Sequence, residues 1–96
     1  MADEIVTVHR LKTWIPYFDA VASGAKPFEV RRDDRGFQRG DRVQLIEVTR
    51  ASFPRPTGRE AEAEITYVLT GGQFGIEPGY VVLGLGVVRM ESSDGR

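Results

Sequence analysis

Residues 61 to 69 read AEAEITYVL and carry the clearest alternation in the chain. Ala61, Ala63, Ile65, Tyr67 and Leu69 fall on one face, while Glu62, Glu64 and Thr66 fall on the other. A period of two is the mark of a strand with one wet face and one buried face. Such a strand needs neighbours to pair with and a core to cover, so the rest of the chain has to supply a sheet. Residues 80 to 88, YVVLGLGVV, are almost wholly apolar and belong centrally in it. Val81, Leu83, Leu85 and Val87 share one face. Gly84 and Gly86 on the other leave room for an element or ligand to come close.

The remaining segments fit the same plan. IVTVHRL (5–11) is rich in β-branched residues and reads as a first strand. A short helix is expected over 14–23, with Thr13 as its cap, Pro16 in its first turn and Gly24 just past its end. Trp14, Phe18 and Val21 recur there at helical spacing. FEVRR (28–32) alternates as a strand, with Phe28 and Val30 opposite Glu29 and Arg31. DDRGFQRGD is turn chemistry, and RVQLIEVT (42–49) is a further strand. Pro54, Pro56 and Gly58 make RASFPRPTGRE a loop. TGGQFGIEPG is a glycine-rich loop without the lysine or the strand–loop–helix setting of a phosphate-binding loop. Four or five short strands and one early helix give an α+β class, most economically a small, mostly antiparallel β-barrel.

Composition bounds what such a domain does. The 96 residues suffice for one domain with one modest core, expected over about 5–89 with a solvated tail at 90–96. No apolar run is long enough to span a bilayer, and the acidic N-terminus lacks the pattern of a signal peptide. The chain has no cysteine and one histidine, so neither a disulfide nor a zinc site is expected, and a cytoplasmic setting is. No cofactor is expected either. Net charge is only −1, but residues 10–42 carry eight basic and five acidic side chains, a local excess of +3 against −4 elsewhere. That segregation is what an anion site requires.

The candidates for such a site each have a plainer alternative. Glu29 and Arg31 lie on one side of a strand, and Lys26, freed from the alternation by Pro27, can swing to join them. Three such groups converging on a cleft would bind an anion and read a donor–acceptor pattern; on an open surface they are merely an ion pair. Trp14 either covers the core or stacks on a base. His9 reads most simply as an exposed polar residue, and Phe37 as a cover for one end of the core.

The ordered motifs SGAKPFEVR and DDRGFQRGD resemble the signature of the ASCH (activating-signal-cointegrator homology) domains of the PUA-like superfamily. The closer likeness is to a small ASCH-related family of bacteria and phages to which RNA binding is ascribed. It rests on His9, Leu11 and Lys12; on Ser23, Gly24, Lys26, Phe28, Glu29 and Arg31; and on Asp34, Arg35, Phe37, Gly40 and Asp41. The likeness runs from residue 9 to 87.

The resemblance implies a PUA-like pseudobarrel with a helix beside a positively lined cleft. It implies Lys26, Glu29 and Arg31 as cleft residues, with Lys12 and His9 as neighbours, and RNA or a nucleoside or nucleotide as ligand; Arg35 and Trp14 are counted with them as candidate ligand-binding residues. Phe28 and Val30 would then build the barrel edge. Some ASCH proteins hydrolyse acetylated cytidine with a lysine, a threonine three residues later and a distant glutamate. Lys26 matches the lysine, but Glu29 stands where the threonine would be, so binding is expected ahead of hydrolysis. A protein-interaction module is the third reading.

Overall fold

The structure is a computed structural model that describes residues 5–92. Its elements are β1 (Val8–Trp14), α1 (Ile15–Ala22), β2 (Phe28–Arg32), β3 (Arg42–Val48), β4 (Pro56–Thr70), β5 (Tyr80–Leu85) and β6 (Arg89–Ser92). They form a six-stranded mixed sheet in the order β1-β3-β4-β5-β2, with β6 also pairing to β4. β1 runs parallel to β3, and the other pairings are antiparallel. No helix among the described residues is long and apolar enough to cross a membrane.

The long strand β4 organises the rest. Its first half pairs with β3 on one side and β6 on the other, and its second half pairs with β5. The change of partner falls at a bulge between Ile65 and Tyr67. The alternation of AEAEITYVL therefore holds only up to Ile65. Ala61, Ala63 and Ile65 are buried, but Tyr67 is 61% exposed and Val68 packs on the core instead. One extra residue in a strand flips every side chain after it. The space expected beside Gly84 and Gly86 is taken by this bulge, since a Cβ at either would lie 3.3–3.4 Å from Thr66 side-chain atoms.

Leu11 of β1, Phe18 and Val21 of α1, Val43 and Leu45 of β3, Ala61, Ala63 and Ile65 of β4, and Val81, Leu83 and Leu85 of β5 meet in one core, with Phe37 closing one end. α1 starts two residues after Thr13, which belongs to β1, and has no side-chain cap. Pro16 fits its first turn and Gly24, at φ 85°, ends it with N–H donation to the Val21 carbonyl at 3.0 Å. Phe18 and Val21, three apart, give α1 its buried face.

Several expectations are corrected. The first strand is displaced from 5–11 to Val8–Trp14, because its partner register runs from Arg42 to Val48. Pro56 and Gly58 do not prevent a strand: β4 begins at Pro56, an end position where a missing N–H costs little. Val87 lies beyond β5 and is 87% exposed. Residues 90–92, expected as tail, continue β6 along the otherwise open edge of β4. Most importantly, hydrogen bonds do not close the sheet into a barrel. β1 and β2 stand at its two ends, and among the described residues no backbone ladder joins them.

β2 is that open edge, and its faces are inverted relative to an apolar-in reading. Phe28 and Val30 are 39% and 48% exposed, whereas Glu29 is 3% exposed. Glu29 and Arg31 pair with Leu83 and Val81, whose side chains face the core. A charged pair thus occupies the inward positions of the edge strand, where apolar residues would have drawn β1 and β2 together.

A second ionic cluster ties α1 to the sheet. Arg59 of β4 donates through Nε to Glu47 Oε1 at 3.0 Å and through Nη2 to Glu47 Oε2 at 2.6 Å, and it also reaches Asp19 of α1. The Thr57 hydroxyl donates to the same Glu47 carboxylate. The Arg59 guanidinium lies 5.0 Å from the centroid of the Phe18 ring. These donors hold the buried Glu47 carboxyl below its ordinary value of 4.5, with the Arg59 hydrogen bonds as the largest cause. Glu62 is held low in the same way by Arg42, at 2.8 Å, and by Arg89.

Two predictions come from this framework. A Cβ on Gly71 would lie 2.1 Å from the Glu77 carbonyl oxygen and 2.7 Å from that of Tyr80. Gly71→Ala is expected to cost about 3 kcal/mol, read as a lower urea midpoint at unchanged slope. The second concerns pH. Carboxyls with lowered folded values stabilise fully above the ordinary carboxyl range, and that contribution is lost as pH falls through the folded values. Glu47→Gln is therefore expected to lower stability by about 1–3 kcal/mol at pH 7. It should also flatten the acid limb of a stability-against-pH curve. An acid limb as steep as that of the parent would show that Glu47 is not a source of it.

Candidate functional site

The unclosed seam between β1 and β2 is where the charged residues gather. α1 follows β1 directly, so the helix start overhangs the seam and brings Trp14 and Tyr17 to its rim. Pro27 then turns the chain into β2, which delivers Glu29 and Arg31 inward, and Lys26 sits just before it. Together these residues surround a cleft of about 540 Å³, also lined by Lys12, Thr13, Val30 and Arg32.

Glu29 is the centre of the cleft's polar network. Lys26 Nζ donates to its Oε2 at 2.7 Å, and Arg31 Nε donates to its Oε1 at 3.0 Å. Each carboxylate oxygen thus has a cation of its own, which is what permits a nearly inaccessible charge. Arg31 then crosses the seam. Its Nη2 donates to the Lys12 carbonyl at 2.8 Å and to Thr13 Oγ1 at 3.1 Å. Arg35 does the same further along, its Nη1 donating to the Arg10 carbonyl at 2.8 Å. The two acceptors are two residues apart on β1, as carbonyls on one strand edge are. Guanidinium groups thus occupy edge carbonyls that a neighbouring strand would otherwise satisfy.

The cleft is cationic and aromatic together. Its lining holds Lys12, Lys26, Arg31 and Arg32 against the single acid Glu29. Lys26 Nζ lies 5.3 Å from the ring centroids of both Tyr17 and Phe28. Trp14 and Tyr17 are 38% and 47% exposed, with ring centroids 6.1 Å apart and planes inclined by 30°. The Arg50 guanidinium carbon stands 4.3 Å from the Trp14 ring centroid.

The expected site residues therefore divide. Lys12, Lys26, Glu29, Arg31 and Trp14 come together in this cleft. Arg35 lies across the seam in an adjoining cavity that shares Lys12 and Arg31. His9 is neither exposed nor in the cleft. It is 8% exposed, its Nε2 is 2.8 Å from Asp41 Oδ2, and its ring centroid is 4.6 Å from that of Phe37. Asp41 Oδ2 also accepts from the Gln38 N–H at 3.1 Å, so His9 pins the 36–41 turn to the sheet. The reason is parity: His9, Leu11 and Thr13 share the inward face of β1. Thr13, Tyr17 and Arg32 were not singled out by sequence. Tyr17 was within reach of such reasoning, lying one helical turn after Trp14, whereas Thr13 reads as a helix cap until β1 is seen to extend through it.

The seam has a direct test. Arg31→Lys keeps the charge but cannot serve Glu29, Lys12 and Thr13 at once. It is expected to cost about 1–3 kcal/mol in urea unfolding, whereas Arg32→Ala next door, outside this network, should stay within about 0.5 kcal/mol. Equal effects at the two positions would remove the structural role assigned to Arg31.

Comparison with known proteins adds a family. The model of a domain of unknown function, DUF3850, matches residues 8–85, from the start of β1 to the end of β5. The chain is also similar to the uncharacterized 12.9 kDa protein in GpA 3'region of Escherichia phage P2. The two are 43% identical over 61 residues, a stretch that makes up 64% of this chain and 53% of the relative. The chain thus spans about half the length of that curated relative.

Proposed function

This chain belongs to the DUF3850 family, and on that premise we propose that it binds RNA or a nucleotide in the cleft between β1 and β2. The observation that carries the reading is the neutralised Glu29. Its carboxylate is taken up by Lys26 and Arg31, so the positive charge of Lys12, Arg32 and the two partner cations dominates a cleft rimmed by half-exposed aromatic rings. Such a site suits a ligand that is anionic at one end and planar at the other, as a nucleotide is. The cations take phosphate oxygens, and Trp14 or Tyr17 offers a face for a splayed base.

The ASCH and PUA-like resemblance belongs to the same proposal. An incompletely closed sheet, a short helix overhanging the gap and a basic cleft beneath it agree with a pseudobarrel of that kind. Hydrolysis of a modified nucleoside is the weaker alternative. Glu29 has both oxygens held by cations, and Lys26 is engaged with that carboxylate, which suits a binding platform better than an acid–base pair.

The test is a titration with a nucleoside monophosphate and its unphosphorylated nucleoside, followed by the fluorescence of Trp14, the chain's single tryptophan. The phosphorylated form is expected to bind more tightly and to weaken as salt rises. Lys26→Ala should lower its affinity about tenfold, or ~1.4 kcal/mol. Affinity for short RNA no greater than for an unrelated polyanion would overturn the proposal. So would a stable complex with a protein from its own cells that competes for the same face, the result expected of an interaction module. Release of acetate from acetylated cytidine, abolished by Lys26→Ala, would move the reading to hydrolysis.

A further inference from the structure

Lys12 and Arg31 line two cavities at once. Beyond the cleft, a second cavity of about 600 Å³ opens, with Arg10, Lys12, Arg31 and Arg35 as its polar lining and no acid among its residues. Its apolar wall is Ile46, Val48, Pro54 and Pro56. Arg31 is tied to Glu29 and β1, but Arg10 and Arg35 are only loosely paired with acids. Arg10 Nη2 is 4.0 Å from Glu60, and Arg35 Nε is 3.8 Å from Asp34, both at the outer limit of an ion pair. Arg35 spends its Nη1 on the Arg10 carbonyl, which fixes the direction of its guanidinium while leaving further donors open.

The two cavities lie along one strand face. Arg10, Lys12 and Trp14 alternate with buried residues and stand in a row on the exposed side of β1. With a rise of about 3.3 Å per residue, Trp14 and Arg10 are about 13 Å apart along the strand. One phosphate cannot serve both ends of that row. Ile46 of β3 pairs with Lys12 and gives the row a partly exposed apolar flank, backed by the buried Val48 that pairs with Trp14. The segment between β3 and β4 forms the far wall and is itself basic and aromatic. It carries Arg50 over Trp14, Arg55, and Phe53, which is 84% exposed beside the lining residue Pro54. The segment is held in shape by its own closure, with the Thr49 N–H donating to the Arg55 carbonyl at 2.9 Å and the Arg55 N–H to Thr49 Oγ1 at 3.1 Å.

We propose that the exposed face of β1, from Trp14 to Arg10, is a track for a single-stranded nucleic acid chain, with the Arg10–Arg35 cavity holding the phosphate of a second nucleotide. This deepens the nucleotide-binding reading and rests on it. The first nucleotide occupies the cleft at Lys26 and Trp14. Its neighbour passes Lys12 and Arg31, which both cavities share, and sets its phosphate between Arg10 and Arg35. The sugar and base then lie on the apolar wall, within reach of Phe53. Alternating cations and apolar or aromatic surface is the arrangement that follows a single strand without reading its sequence. A duplex, with its bases stacked inward, gains nothing from the apolar flank.

The experiment measures how affinity depends on ligand length in the intact chain. Trp14 fluorescence is titrated with cytidine 5′-monophosphate and with the dinucleotide and tetranucleotide of cytidine, each carrying a 5′-phosphate. The dinucleotide is expected to bind about tenfold more tightly than the monophosphate, with a salt slope steeper by about 0.7 for the added phosphate. The readout for the track is the dinucleotide-to-monophosphate affinity ratio. Arg10→Ala together with Arg35→Lys should bring it from about ten to about one. Arg10→Ala alone, which breaks no close hydrogen bond, should reduce it by about threefold and guards against a folding defect in the pair. Equal binding of monophosphate and dinucleotide by the parent would overturn the track and leave the nucleotide reading standing. Binding of neither would remove that reading itself. A ratio that survives both replacements would also overturn the track.

Discussion

The fold and the site both depend on the carboxylate of Glu29 being enclosed between Lys26 and Arg31. An isolated buried carboxylate would be driven to neutralise or to leave the interior. Two cations so close to each other would repel. Interleaving the acid solves both problems and leaves one net positive charge facing the cleft. Because Arg31 has nitrogen atoms to spare, the same group that satisfies Glu29 also reaches the Lys12 carbonyl and Thr13 on the opposite strand. One guanidinium thus sets the spacing between β1 and β2, fixes Glu29 and forms the wall common to both cavities. A lysine, with its single nitrogen, has no such reach.

Sheet content was legible because alternation is a local property. The apolar side chains of β5 and the first half of β4 keep the parity read from the chain. What was not legible arises where non-local pairing overrides that parity. Nothing in AEAEITYVL marks the residue at which β4 exchanges β3 for β5. The bulge after Ile65 follows from the need to turn a 15-residue strand from one partner to the other. Once it is there, Tyr67 goes outward and Thr66 settles over Gly84 and Gly86. β2 misleads in the opposite sense. Phe28 and Val30 face out with Arg32, while Glu29 and Arg31 face in, because the inward face of an edge strand opens onto the cleft.

The candidate site divides along the same line. Lys26, Glu29 and Arg31 were recognisable because all three lie on one short segment around Pro27, and spacing alone allows them to converge. Lys12 could be suspected from the motif order, and Trp14 as an aromatic side chain able to stack on a base. His9 could not be placed, since its role depends on Asp41 and Phe37, about thirty residues away, and on β1 being in register with β3. In the fold it secures the turn at one end of the core. Arg35 falls between these cases: it is a seam residue like Arg31, but it serves the cavity on the far side.

The failure of the sheet to close is itself a physical solution. Two unpaired strand edges are a standing invitation to pair with other chains, and folded proteins blunt such edges with charged side chains, bulges or covering elements. Backbone pairing of β1 with β2 would satisfy the Arg10 and Lys12 carbonyls directly, but it would also erase the gap that both cavities occupy. Arginine side chains satisfy the same carbonyls from a greater distance. They hold the edges apart by the length of a side chain, discourage a foreign strand with positive charge and leave polar hydrogens pointing into the space so created. A fully hydrogen-bonded barrel of this sequence would have no cleft. The cost of leaving the ladder open is met by the groups that give the cleft its positive charge.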